Sequence, residues 1–213
     1  MNAIGILPAF QGIVIHGNLS AYFTYGQCLH GLWNAHHLRE LTFVKEVSNQ
    51  VWAGEMIECL LKIKHKTEKA REANQGQLNW RQIGYFERLY QSIVEKGYKA
   101  NPLQREPPGG RNKRGRPKKG KARCLVEWFD IHRHKVLAFL YELHVPFDNN
   151  LAERDIRMAK LKQKISGTFR SEEMAHGFCR IRSFISTARK QSRKIMEAIG
   201  TLLNGSPFIP VSG

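Results

Sequence analysis

The chain has little acid relative to base, and it has no long apolar run. Its 213 residues include 34 Lys and Arg against 18 Asp and Glu, a formal net charge of +16. No segment approaches the roughly 20 apolar residues of a membrane-spanning helix, and we expect no signal peptide. The four cysteines are scattered, which favours reduced thiols over a disulfide framework. We therefore expect a cytoplasmic protein without a membrane partner.

The composition is otherwise ordinary for a globular domain, but the excess charge is concentrated in two stretches. Apolar residues make up 42% of the chain, enough for one domain with a core. Residues 111–123 hold eight basic and no acidic groups, and residues 151–194 hold twelve basic and four acidic groups. Clustered Lys and Arg gain free energy by displacing counterions from phosphates. Nucleic acid is therefore the expected partner.

Helical periodicity dominates the apolar pattern. A β-branched run between glycines, residues 12–16, is typical of one buried strand. The apolar pattern predicts one long or broken helix over residues 34–73 and a second helix over 79–95. Residues 74–77 would join the two as a helical hairpin, and Gly97 with Pro102 would end the second helix. Further helices are expected over residues 124–143, 150–164, 173–190 and 192–203.

Residues 101–123 combine Pro, Gly and base, which is the composition of a mobile loop. Within them, Arg-Gly-Arg-Pro at residues 114–117 has the form of an AT-hook, whose arginines enter an A·T minor groove. The alternative, which we favour for so short a motif, is a basic loop that contacts phosphates without reading sequence. Its candidate DNA-binding residues are Arg114, Arg116, Lys118, Lys119 and Lys121.

Residues 147–157, Phe-Asp-Asn-Asn-Leu-Ala-Glu-Arg-Asp-Ile-Arg, put acids and arginines onto the first turns of a predicted helix. Asn150 can cap that helix, and Glu153 can reach back to a backbone N–H three residues earlier as a capping box. Asp148, outside the helix, is expected to be structural. Basic residues form a stripe beside Glu153, which is either a phosphate-binding face or a solvated helix surface. The stripe consists of Arg154, Arg157, Lys160 and Lys164.

Residues 148–157 closely resemble the C-terminal signature of insertion-sequence transposases of the Asp-Asp-Glu type, nearest to the insertion-sequence 66 family. The resemblance continues in residues 34–41, 164–173, 178–182 and 185–190. It implies a ribonuclease-H-like fold in which three carboxylates hold two divalent ions, Mg²⁺ or Mn²⁺, for attack on a phosphodiester. Glu153 matches the glutamate of this signature, so the resemblance implies a catalytic and metal-binding role for Glu153.

The sequence also departs from the family pattern. The resemblance places the second acid after the strand of residues 13–16, ahead of an aromatic residue matched by Tyr22, and this position is Gly17. Glycine has no side chain to ligate a metal, and neither His16 nor Asn18 supplies the charged oxygen that Mg²⁺ prefers. The first acid and the N-terminal DNA-binding modules would lie upstream of Met1. We therefore expect a truncated catalytic domain that is inactive alone.

A cluster of Cys and His near the start raises the question of zinc. Cys28, His30, His36 and His37 lack the two clean ligand pairs of a structural zinc site, so we do not favour one. His36 and His37 are expected to pack or to contact phosphate. The family pattern usually has cysteine at the position of Trp33.

The sequence thus predicts a predominantly helical α/β fold, a partial ribonuclease-H-like core with a helical-hairpin insertion. We expect the start of the core in residues 1–33, the insertion in 34–100, the basic loop in 101–123 and the C-terminal part of the core in 124–213. The resemblance implies metal-dependent DNA cleavage and strand transfer in a nucleoid-associated bacterial protein, which forms a homo-oligomer or joins a full-length transposase. The competing classes are a non-catalytic DNA-binding regulator and a helical adaptor, and an adaptor would show no salt-dependent DNA affinity.

Overall fold

A computed structural model describes residues 6–17, 19–103, 119–148 and 150–209. The chain divides into two compact units, Met1–Asn149 and Asn150–Gly213. Within the described ranges, helices predominate and two strands form a parallel sheet, which confirms a mostly helical α/β fold. The ribonuclease-H-like core and the four functional ranges remain predictions. None of the described helices is long and apolar enough to cross a membrane.

The first unit opens with a short helix, α1 (Ile6–Ala9), and the strand β1 (Ile13–His16). A 3-10 helix, Ser20–Thr24, separates β1 from its parallel partner β2 (Leu29–Leu32). The prediction of a buried strand was wrong in part, because only the last residue of β1 is buried and the others are half-buried. Parallel strands are buried when both sheet faces are covered by helices. The Leu-His-Gly-Leu sequence of β2 lacks β-branched residues, so sequence reasoning missed it.

Three long helices follow: α2 (Asn34–Val47), α3 (Val51–Glu72) and α4 (Trp80–Ala100). The long helix predicted over residues 34–73 is therefore a broken one. Asn49 lies at the break with a φ of 47°, a left-handed conformation that Asn tolerates at a helix end. Helices α3 and α4 pack against each other, which confirms the predicted hairpin.

Helix α4 continues five residues beyond its predicted end, because Gly97 does not stop it. Gly97 is buried where α4 meets α3 and the next helix. A Cβ atom at this position would lie 2.7 Å from Val126 and 3.2 Å from Trp52. Gly97 therefore permits close helix packing, and the interpretation of this glycine as a helix terminator was wrong.

The helix predicted over residues 124–143 is three shorter ones: α5 (Lys121–Ile131), α6 (Arg133–Val136) and α7 (Ala138–Tyr141). At the two breaks, the backbone N–H groups of Lys135 and Leu140 bond to carbonyls three residues earlier, at 2.9 and 2.8 Å. Such tighter turns interrupt the regular helical ladder. The rearranged segment buries Leu137 completely in the core.

The core of the first unit is formed by β2 and α2–α7. Tyr90 is fully buried there, and its hydroxyl donates a 2.9 Å hydrogen bond to the carbonyl of Phe129. Arg71 donates to the carbonyls of Leu143 and Val145, the latter at 2.8 Å. These bonds connect α3 to the segment that precedes the motif of residues 147–157.

The second unit consists of α8 (Asn150–Ser166), α9 (Glu172–Lys190) and α10 (Ile195–Leu203). All three were predicted, with ends that differ by one to three residues. Gly167, at a φ of 74°, lies in the predicted turn between α8 and α9. The side-chain oxygen of Ser171 accepts a 3.2 Å hydrogen bond from the backbone N–H of Met174 and caps α9. Ser192, at a φ of 55°, delays the start of α10.

Candidate nucleic-acid interface

The residues before α8 are anchored to α3. The ring of Phe147 is buried, and its centroid lies 5.0 Å from that of Phe139. Lys64 Nζ lies 5.1 Å from the centre of the Phe147 ring and 3.5 Å from Oδ2 of Asp148. The ion pair is partly exposed and therefore partly screened, but it gives Asp148 the structural role that the sequence suggested.

Helix α8 begins at Asn150, so Asn150 is its first residue rather than the residue before it. The preceding position, Asn149, and the side chain of Glu153 lie outside what the structure describes. Asn150 is thus not at the N-cap position that the predicted capping box requires, and the metal-binding role of Glu153 remains a prediction. The structure does give Glu153 a place in the first turn of a helix, as the signature requires.

The four cations of the predicted stripe are all exposed on α8. Among the side chains that the structure describes, none of the four has a carboxylate partner. Such unpaired cations remain available to an anionic ligand. The members of this α8 stripe are Arg154, Arg157, Lys160 and Lys164.

The described end of the basic loop is tied to α5. Lys119 Nζ lies 2.7 and 2.6 Å from the two carboxylate oxygens of Glu127, and Arg123 Nε donates to Glu127 at 3.0 Å. These bonds hold the pKa of the Glu127 carboxyl below its ordinary value. Arg123 also donates to the backbone carbonyl of Asn101 at 2.8 Å, which joins the two sides of the loop. The charge of Lys119 is thus largely satisfied within the protein.

The remaining predicted loop residues divide into two groups. Lys121 Nζ lies 5.2 Å from the centre of the Phe43 ring. It borders a groove of about 580 Å³ between α2 and α5, which Arg39 and Trp128 also line and which sequence reasoning did not predict. Arg114, Arg116 and Lys118 lie outside the described residues.

Two histidines meet at the end of β1, where the resemblance places an acid. His16 Nε2 lies 3.0 Å from His30 Nδ1, and His30 Nε2 lies 3.0 Å from the carbonyl oxygen of Tyr25. The His16 ring stacks on Tyr22 at 4.6 Å between centroids. Burial lowers the pKa of His16, and the nearby His30 and Lys135 lower it further, against a backbone contact to Gly17 that raises it.

These residues do not fit a two-metal carboxylate centre. Gly17 supplies no side-chain carboxylate, and both ring nitrogens of His30 already have partners. Within the described part of the chain, no three His, Cys, Asp or Glu side chains form a group able to hold a metal ion. A Cβ atom at Gly17 would meet nothing within 4 Å, so the position has room for a larger side chain.

The other histidines considered for zinc are packed against aromatic rings. His37 is buried, with its ring centroid 4.2 Å from that of Trp128, an arrangement that fits the packing expected from the sequence. His36 lies 4.2 Å from Trp33 by the same measure. Cys28 is buried and donates its thiol to the carbonyl of Tyr25 at 3.3 Å.

The comparisons with known proteins give one match. The model of the family described as Transposase IS66 family matches residues 2–177, from before β1 into the first turns of α9. No curated protein and no solved structure matches the chain. The matched range covers most of the chain and includes residues 148–157, so it confirms the resemblance carried by that signature. The chain belongs to the IS66 family of transposases.

Proposed function

We propose that this protein binds double-stranded DNA through the α8 stripe and does not itself cleave a DNA strand. The observation that carries the proposal is the row of exposed cations on successive turns of one helix. Ten residues of helix separate Arg154 from Lys164, about 15 Å, and one strand of a duplex presents about four phosphate charges over that length. The stripe therefore matches the charge density of a DNA backbone.

The absence of cleavage follows from the chemistry at Gly17. Transposases of the Asp-Asp-Glu type generally depend on divalent metal ions, and carboxylate oxygens hold those ions. Glu153 is one carboxylate, and a single carboxylate is a poor site for two weakly held Mg²⁺ ions. DNA binding needs only the cations, so it persists without catalysis.

A salt series tests DNA binding. The full chain is titrated with labelled duplex between about 50 and 200 mM salt, where a protein with several phosphate contacts loses affinity steeply. Changing the four residues of the α8 stripe to Gln should lower the slope of log affinity against log salt by about 3 to 4. The matched control changes four exposed lysines of the hairpin to Gln and should retain most of the slope. The control lysines are Lys62, Lys66, Lys69 and Lys99.

Two results would overturn the proposal. Affinity that does not depend on salt, or no affinity at all, removes the polyanion-binding role. Equal losses in the stripe variant and in the hairpin control would show that net charge, rather than α8, determines binding.

The second candidate function is metal-dependent cleavage with Glu153 as a metal ligand, which family membership and the signature favour. Incubation of supercoiled DNA with the protein and Mg²⁺ or Mn²⁺ distinguishes the two candidates. We expect no nicking, both for the natural protein and for Glu153→Gln. Nicking that Glu153→Gln abolishes would establish the second candidate, and Gly17→Asp would then be expected to increase it.

A further inference from the structure

We propose that α8 and α9 form a phosphate-binding cleft in which arginines of both helices hold one phosphodiester group of bound DNA. The inference deepens the proposed function and rests on it. It adds two α9 residues, Arg182 and Arg189, to Arg154 and Arg157 of the α8 stripe.

The cleft lies within the second unit and has a volume of about 280 Å³. This volume is just below the range of about 300 to 1,000 Å³ typical of sites for drug-sized ligands, so the cleft suits a small group. Met158 and Ile185 contribute apolar side chains to its wall. The basic residues that line it are Arg154, Arg157, Arg182, Arg189 and Lys190.

The described arginines of the cleft favour an anionic ligand. Among the described side chains that line it, cations are present and carboxylates are not. A solvated basic helix surface would direct its cations away from a neighbouring helix, whereas here the cations of α8 and α9 border the same space. A negative group between the arginines of the two helices would reduce their mutual repulsion.

Arg182 provides an independent observation. Its Nε atom is buried and has no hydrogen-bond partner. A buried donor without an acceptor is unfavourable, and native proteins rarely leave one unsatisfied. A ligand oxygen in the cleft would satisfy the guanidinium that the protein leaves incomplete.

The guanidinium group selects the chemistry of the ligand. Its planar array of N–H donors matches two oxygens of a phosphate in a bidentate arrangement, and arginine is the preferred residue for such recognition. Arg154 and Arg157 belong both to the cleft and to the α8 stripe, so a phosphate in the cleft lies on a strand that continues toward Lys160. The ligand is therefore a backbone phosphate rather than a free anion.

Comparison of Arg182→Gln with Arg180→Gln tests the cleft. Both substitutions remove one positive charge from α9, but Arg180 is exposed and does not line the cleft. In the full chain, Arg182→Gln should weaken duplex binding about tenfold near 100 mM salt and lower the salt slope by about one. Arg180→Gln should change the affinity less than about twofold, because a single exposed charge contributes little. Arg182→Lys keeps the positive charge but loses the paired N–H donors of the guanidinium. This variant should therefore bind duplex with an affinity between those of the natural protein and Arg182→Gln.

A spectroscopic measurement avoids dependence on affinity alone. The Nε–H resonance of Arg182, identified by its loss in Arg182→Gln, should shift when duplex DNA is added. A shift with inorganic phosphate but not with duplex would overturn the assignment to a DNA strand. If the natural protein binds DNA and the two Gln variants bind equally well, the proposal of a phosphate-binding cleft is wrong while the proposed function stands. If the natural protein shows no salt-dependent binding, the proposed function fails first.

Discussion

The imidazoles of His16 and His30 face each other across 3.0 Å, from Nε2 to Nδ1, at the end of β1. Each ring also faces a carbonyl oxygen, that of Gly17 for His16 and that of Tyr25 for His30. Carbonyl oxygens only accept, so three hydrogen bonds require three protons on the two rings. Two neutral imidazoles carry two protons. The neutral pair therefore leaves one of the three contacts without a hydrogen.

Stability should fall as the pH falls through the histidine range. Burial lowers the pKa of His16, and burial with the charge of Lys135 lowers that of His132, from the ordinary value of 6.5. The unfolded chain then binds more protons than the folded chain, so this contribution is complete above about pH 6.5 and is lost below it. Thermal unfolding between about pH 7.5 and 5.5 should show a decreasing Tm. His132→Gln should flatten this dependence, whereas His65→Gln, at an exposed position, should not.

Gly97→Ala should destabilise the first unit by about 1 to 3 kcal/mol, because the added methyl group would overlap Val126. The control is Gly84→Ala in the same helix. Its methyl group would meet only the end of the flexible Arg88 side chain, at 3.3 Å. Gly84→Ala should stabilise the protein by about 0.5 to 1 kcal/mol through helix propensity. Chemical denaturation measures the free energy of unfolding of both variants. Changes of the same sign in the two variants would contradict the close packing at Gly97.

Tyr90→Phe should cost about 1 to 3 kcal/mol, because it removes the donor to the buried Phe129 carbonyl while keeping the ring. Tyr85 is exposed on the same helix, so Tyr85→Phe should change stability by less than about 0.5 kcal/mol. Urea denaturation gives both free energies of unfolding. A Tyr90→Phe variant as stable as the natural protein would show that the hydroxyl makes no net contribution.

Arg71→Lys should loosen the segment before α8. The guanidinium reaches the carbonyls of Leu143 and Val145 together, which one ammonium group cannot do with the same geometry. We expect faster amide hydrogen exchange in residues 143–148 and a loss of about 1.5 to 3 kcal/mol in stability. Lys69→Gln, at an exposed position of the same helix, should leave this exchange unchanged.

Local patterns were enough to predict most helices and the position of Glu153. The spacing of apolar residues predicted the hairpin. Its second helix, α4, begins after Asn79 with a capping box, in which the Asn79 side chain accepts a 2.9 Å hydrogen bond from the backbone N–H of Arg81. Features that depend on two distant segments were missed. Gly97 is needed inside α4 because Val126 of another helix packs against it. Arg182 lines the cleft because of the face of α9 that meets α8. Periodicity identifies a face but not the partner that covers it.

The bond from Arg123 to the carbonyl of Asn101 connects the two described ends of the basic loop. It holds the two ends of the loop together at the start of α5, and Glu127 fixes Arg123 in place. The entropy of bringing those ends together is therefore lost when the protein folds, not when DNA binds.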